Sequence, residues 1–184
     1  MAFNSLAYLI LLIISFISSR YFSRSLIALI FLSLAFFCYS GLLDSFVFFI
    51  TVISNWIILK KIKYNKLKLI LSVGFNVLLL IFFKYKSFFL GESEILKFNI
   101  LSSNYLPLGI SFYCFQAIGF QIDIYKGLTK GAKNFKEFLL FKSFFPQLIA
   151  GPIVRANILI PQIRRFKDGS IKKSLYTFGL ILIL

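Results

Sequence analysis

YLPLGISFYCFQAIGFQIDIYKG (105–127) and FFPQLIAGPIVR (144–155) decide how this chain reads. Both strings are apolar enough to lie at membrane depth, yet they carry Gln116, Gln121, Asp123, Gln147 and Arg155. Polar and charged side chains are costly in hydrocarbon, so they face a cavity, a partner or the water interface. Three of the four prolines also fall here, Pro107, Pro146 and Pro152, and Pro161 follows just beyond.

The rest of the chain is more apolar still. With 59% hydrophobic residues, 19% aromatic residues, a mean hydropathy of +0.89 and only 15% charged residues, 184 residues cannot furnish the polar surface of a soluble domain. The composition implies an all-α, polytopic membrane protein. The excess of 21 Lys and Arg over 6 Asp and Glu lies between apolar runs. That is the pattern of membrane topology and of contact with anionic lipid, and it argues against nucleic acid as a partner. Cys38 and Cys114 sit inside apolar segments and there is no histidine. Neither a disulfide framework nor a metal site can be read from that set.

Five spans are expected, at about 3–19, 25–40, 42–59, 67–83 and 107–125. Pro107 would occupy the first turn of the fifth, where its missing N–H costs least. Between the fourth and fifth, Lys84 to Leu106 mixes charge with aromatic and aliphatic residues and reads as an interfacial loop with one short amphipathic helix. All the basic residues except Lys84, Lys86 and Lys97 fall in 20–24, 60–68 and 126–173. Those segments are expected in the cytoplasm, which leaves the N-terminus outside. The opposite face would hold 41–44 and 84–106, where Asp44, Glu92 and Glu94 balance the three lysines.

Residues 135–163 are apolar in the middle and flanked by basic clusters at both ends. A single crossing would carry one cluster to the wrong side, so a re-entrant or surface-lying helical hairpin is expected, broken near Pro146 and Gly151–Pro152. Irregular backbone at that depth must be packed in protein or line a water-filled cavity. The final run, 174–184, would rise only about 16 Å as a helix, roughly half the hydrocarbon thickness. The expectation is an incomplete span, and a chain that forms the N-terminal part of a longer protein.

A period of 100° per residue puts Gly109, Phe112, Gln116, Gly119, Phe120 and Asp123 on one narrow face of the fifth span. That face reads either as a packing seam between helices or as one wall of a substrate tunnel, and Asp123 could equally snorkel to the interface. In the second string, Pro146, Gly151 and Pro152 free backbone groups, and Arg155 follows one turn later with several donors for carbonyls, a carboxylate or an anionic ligand. An arginine anchored at headgroup level is the plainer reading.

The two strings, in this order and followed by PQI (161–163), closely resemble the membrane-bound O-acyltransferase family, on its alginate O-acetyltransferase branch with peptidoglycan and D-alanine-transferring relatives. The resemblance is strongest over 106–162. It implies a multi-span enzyme of the bacterial inner membrane, built around a tunnel. The tunnel admits an acyl thioester such as acetyl-CoA from the cytoplasm, and the acyl group passes to hydroxyls of an extracytoplasmic polysaccharide. A periplasmic acetyltransferase partner would complete the transfer.

The resemblance maps Pro107, Gly109, Ser111, Gln116 and Asp123, with Pro146, Gln147, Gly151, Pro152 and Arg155, onto the tunnel and its cytoplasmic mouth. In the family the essential catalytic residue is a membrane-embedded histidine. This chain has none, so no catalytic residue transfers and the chain alone is expected to be inactive. Two other classes of function stand beside this one. A non-catalytic scaffold or decayed remnant would keep the spans without the chemistry, and a small transporter would use the polar face of the fifth span but ordinarily shows internal repeats.

Overall fold

The computed structural model describes residues 26–94, 105–144 and 154–168, with the isolated helical positions Ile10, Ile13 and Ile14. The spans expected at 3–19 and 174–184 otherwise lie outside the described residues, as does the expected break at Pro146, Gln147, Gly151 and Pro152. The described residues form helices and no strands: α1 (Leu26–Ser40), α2 (Leu42–Lys61), α3 (Asn65–Glu94), α4 (Ile110–Tyr125), α5 (Phe135–Ser143) and α6 (Ala156–Asp168).

Gly41 separates α1 from α2 with φ 144°, a conformation L side chains rarely adopt. Its carbonyl then accepts the Ser45 N–H at 3.1 Å and the Ser45 hydroxyl at 3.0 Å, which closes the first turn of α2. Asp44 in that turn and Lys60 and Lys61 in the last one complement the helix dipole at both ends. Residues 62–64 alone join α2 to α3, so the two pack as an antiparallel pair.

Leu42–Lys61 and Asn65–Tyr85 are each long and apolar enough to cross a membrane. Only 17% of the second window is buried. Its outward residues are Ile70, Leu71, Val77, Leu78, Ile81 and Phe82, a surface that suits lipid far better than water. A shorter apolar helix occupies Leu29–Tyr39 within α1.

The helix α3 runs eleven residues past the expected end at Phe83, through the segment read as a loop. No proline interrupts 84–94, and its Lys, Leu and Glu residues favour a helix that continues through Gly91. The charges at Lys84, Glu92 and Glu94 mark where the helix outgrows the apolar window; they do not end it. Likewise α4 starts three residues after Pro107. Gly109 adopts the left-handed conformation at φ 70°, and the Pro107 carbonyl accepts the Ile110 N–H at 3.2 Å. At its other end Gly127 N–H reaches Ile124 O at 3.0 Å and Leu128 N–H reaches Asp123 O at 2.8 Å. That is a Schellman closure, with the αL position filled by Gly127 at φ 73°.

Aromatic rings knit the helices. Phe37 of α1 stacks on Phe48 of α2 with centroids 3.9 Å apart, and Phe48 meets Tyr113 of α4 edge-on at 5.5 Å. Phe120 of α4 contacts Phe138 and Phe141 of α5 at 5.4 and 5.3 Å. Between α2 and α3 the contact is polar: Ser72 Oγ and Asn76 Nδ2 both donate to Asn55 Oδ1, at 2.8 and 2.9 Å. Buried amides and hydroxyls in an apolar interior need such partners, and here they also set the helix register.

Candidate functional site

The α4 face identified by periodicity opens on a cleft of about 320 Å³. Gln116, Gly119, Phe120 and Asp123 line one wall and Lys126 and Leu128 extend it; Phe141 of α5 and Val154, Arg155 and Ala156 at the start of α6 form the other. The structure thus brings Arg155 to the same cleft as Gln116 and Asp123, two stretches that sequence spacing could not join. Gly119 contributes by having no side chain: a Cβ there would meet open space.

Gln116 positions the wall. Its Nε2 donates to the Phe141 carbonyl at 2.9 Å. That carbonyl lies in the last turn of α5, where no intrahelical N–H remains to bond it. Asp123, which might have snorkelled, is instead only 5% exposed, while Lys126 and Arg155 are exposed at the rim.

Ser111 lies in the first turn of α4, about 18 Å from Asp123 by helical rise, and Pro107 and Gly109 precede that helix; none of the three lines this cleft. They adjoin a different polar junction. Asp44 Oδ1 accepts from the Tyr105 hydroxyl at 2.8 Å and from the Leu108 N–H at 3.2 Å. Burial, then the Asp44 hydrogen bond and charge, holds the Tyr105 phenol above the ordinary range.

At the opposite end of α2, Lys60 Nζ donates to Lys133 O at 3.2 Å and lies 4.8 Å from the Trp56 ring centroid. Segments that charge alone assigned to opposite faces therefore meet α2 at opposite ends.

A second feature ties the two ends of 135–163 together. Asn134 caps α5, its side chain accepting the Glu137 N–H at 2.9 Å, and Glu137 Oε2 accepts the Lys133 N–H at 3.0 Å. Arg164 Nη2 reaches Glu137 Oε2 at 3.1 Å and Gly131 O at 3.0 Å. Burial by itself would raise the Glu137 pKa, but the Arg164 hydrogen bond and the Lys133 N–H outweigh it and the carboxyl lies below its ordinary value.

Sequence reasoning missed several interior groups. Lys142 is completely buried, its Nζ on the Tyr113 carbonyl. Its one visible signal is a lysine inside the apolar run FLLFKSFF, which was counted with the basic loops. Asn55, Ser72 and Asn76 were absorbed into their spans. Among the described residues, neither amide atom of the buried Gln121 has a partner, nor do Tyr113 Oη, Gln116 Oε1 and Ser143 Oγ. Among the described residues no group of three or more His, Cys, Asp or Glu side chains is placed to hold a metal.

The class these features define is an all-helical assembly, over the described residues, with two helices of membrane-crossing length and a charged cleft at the end of a third. The comparisons give that class a family. Over 152 residues the chain is 35% identical to the probable alginate O-acetylase AlgI of Pseudomonas syringae pv. tomato, a match covering 67% of this chain and 29% of the relative. The same-named protein of Pseudomonas putida is 35% identical over 125 residues, covering 57% and 26%. The peptidoglycan O-acetyltransferase of Helicobacter pylori is 37% identical over 136 residues, covering 57% and 24%. The resemblance to the membrane-bound O-acyltransferases, on their alginate O-acetylase branch, is therefore shown over more than half of the chain. The chain spans 24–29% of the length of these relatives. No family model matches the sequence, and no solved structure matches it.

Proposed function

We propose that this chain forms the N-terminal part of a membrane O-acyltransferase that transfers an acyl group, acetyl in the first instance, to hydroxyls of an extracytoplasmic polysaccharide such as alginate or a cell-wall polymer. The observation that carries this reading is the set of alginate and peptidoglycan O-acetylating relatives at 33–40% identity. In support, the motif residues Gln116, Asp123 and Arg155 share one cleft.

In this reading the protein is a multi-pass protein of the bacterial inner membrane with its N-terminus outside. Five spans precede a re-entrant hairpin whose ends share the cytoplasmic side. The Glu137–Arg164 contact at 3.1 Å supports such a hairpin, because it joins a residue near its start to one just past its end. The cleft would then lie at the cytoplasmic mouth, where a thioester donor such as acetyl-CoA enters, and a periplasmic acetyltransferase would take the acyl group onward. With no histidine in the sequence, the chain contributes walls and an entrance and leaves the proton transfer to residues outside it.

The test is deletion of the coding sequence followed by measurement of base-labile acetate on the surface polysaccharide. The expected result is loss of acetate, restored when the coding sequence is returned. Unchanged acetylation would overturn the reading in favour of a non-catalytic scaffold, which the absence of histidine also fits.

A further inference from the structure

The cleft contains a carboxylate without a counterion. Asp123 is 5% exposed and, among the described residues, takes part in no hydrogen bond from its side chain and no ion pair; the ion pair present is Arg164–Glu137. The Asp123 side chain lines the cleft, and its oxygens are not among the atoms closed off inside the fold. A ligand that filled the cleft would take the carboxylate out of water, which is costly unless the ligand pairs with it. Lys126 and Arg155 line the same cleft, and both are exposed. Between rim and floor the walls are largely apolar, with Phe120, Ile122 and Phe141 among them.

Depth restricts what can occupy such a site. Asp123 lies in the last turn of α4, and the basic segment beginning at Lys126 follows at once. With α4 taken as the proposed fifth span, this end lies at the level of phospholipid headgroups, and basic pockets there bind phosphate. Two rim cations alone would accept any phospholipid. An anionic headgroup, however, would satisfy the cations and leave Asp123 unpaired. A phosphate joined to a primary ammonium answers all three charges together. At about 320 Å³ the cleft is at the small end of ligand cavities, sized for a headgroup with its acyl chains left in the bilayer.

We propose that this cleft is a headgroup site for an amine-bearing phospholipid of the phosphatidylethanolamine type, with the ammonium on Asp123 and the phosphate on Arg155 and Lys126. The ammonium supplies N–H donors to the buried carboxylate, and the guanidinium of Arg155 offers the phosphate a planar fork. The inference uses only the charges, depth and dimensions of the cleft. It rests on the proposed reading of α4 as a membrane span and gives the cleft to a lipid in place of the thioester donor; acyl transfer itself is not assumed, and the acetylation result leaves it untouched.

Native mass spectrometry of the full chain in detergent tests it, using phosphatidylethanolamine, phosphatidylglycerol and phosphatidylcholine with identical acyl chains. One phosphatidylethanolamine should be retained about tenfold more tightly than either other lipid, because the glycerol headgroup lacks the cation and the choline headgroup lacks N–H donors. D123N should abolish that preference, and R155Q should weaken all three lipids alike. Helicity by circular dichroism confirms that each variant is folded, and the comparison of the three lipids on the unaltered chain needs no variant. Soluble glycerophosphoethanolamine separates a lipid site from a site for a free solute and should bind far more weakly. Equal retention of the three lipids, a preference that survives D123N in a folded protein, or soluble compound binding as tightly as the lipid would each overturn the proposal.

Discussion

Gln116 Nε2 donates to the Phe141 carbonyl at 2.9 Å, a bond that joins α4 to the last turn of α5 beside the Lys142–Tyr113 contact. Gln116→Leu keeps the volume and removes the donor, stranding a buried carbonyl that α5 cannot satisfy itself. The expected cost is about 1–3 kcal/mol, read as a lower unfolding temperature by circular dichroism in detergent.

Gln121 sits on the same helix in the opposite situation. Both atoms of its side-chain amide are buried, and neither has a partner among the described residues. Gln121→Leu should therefore be neutral or raise the unfolding temperature, since no hydrogen bond is lost and an unpaired polar group leaves the interior. A loss comparable to that of Gln116→Leu would show that Gln121 has a partner.

Asn55 and Asn76 bond each other across α2 and α3, with Ser72 on the same acceptor. Asn55→Leu and Asn76→Leu each leave the other amide short of partners, and each should cost on the order of 1 kcal/mol. The double variant should cost less than the sum, because the second change removes the group stranded by the first. A double-mutant cycle of thermal stability checks this.

The Glu137 carboxyl lies below its ordinary value of 4.5 despite burial, through Arg164 and the Lys133 N–H. A depressed carboxylate contributes stability that is present above the ordinary value and lost as pH falls through the lower, folded one. Acidification below about 4.5 should therefore loosen the Gly131–Glu137–Arg164 junction. Glu137→Gln should flatten that part of the pH profile, measured as unfolding temperature against pH, while lowering stability near neutrality.

Lys60 meets Lys133 at one end of α2 and Asp44 meets Tyr105 at the other. If α2 crosses the membrane, reporters fused at positions 65 and 130 should report one compartment, the cytoplasm, and a reporter at 105 should report the other. Agreement of all three would place both ends of α2 on one side and refute the crossing.

Much of the site was legible because helical periodicity is a local property. The spacing of Gly109, Phe112, Gln116, Gly119, Phe120 and Asp123 puts them on one face whatever packs against it, and the part of that face from Gln116 onward lines the cleft while Gly109 and Phe112 do not. The extent of α3 was not legible, because Lys84 ends the apolar run without ending the helix. A helix ends where its backbone is capped or broken; 84–94 holds no proline, and the helix passes through Gly91.

The sequence by itself determined the helical class, the apolar runs and the two motifs that resemble the O-acyltransferases, since these rest on composition and short-range order. Tertiary structure decided which distant residues meet. Arg155 joins the cleft of Asp123, Lys142 is buried against Tyr113, and Arg164 closes on Glu137. No local pattern encodes those contacts, because each forms only when separate helices pack and exclude solvent between them. The same packing leaves Asp123 on the wall of the cleft, 5% exposed.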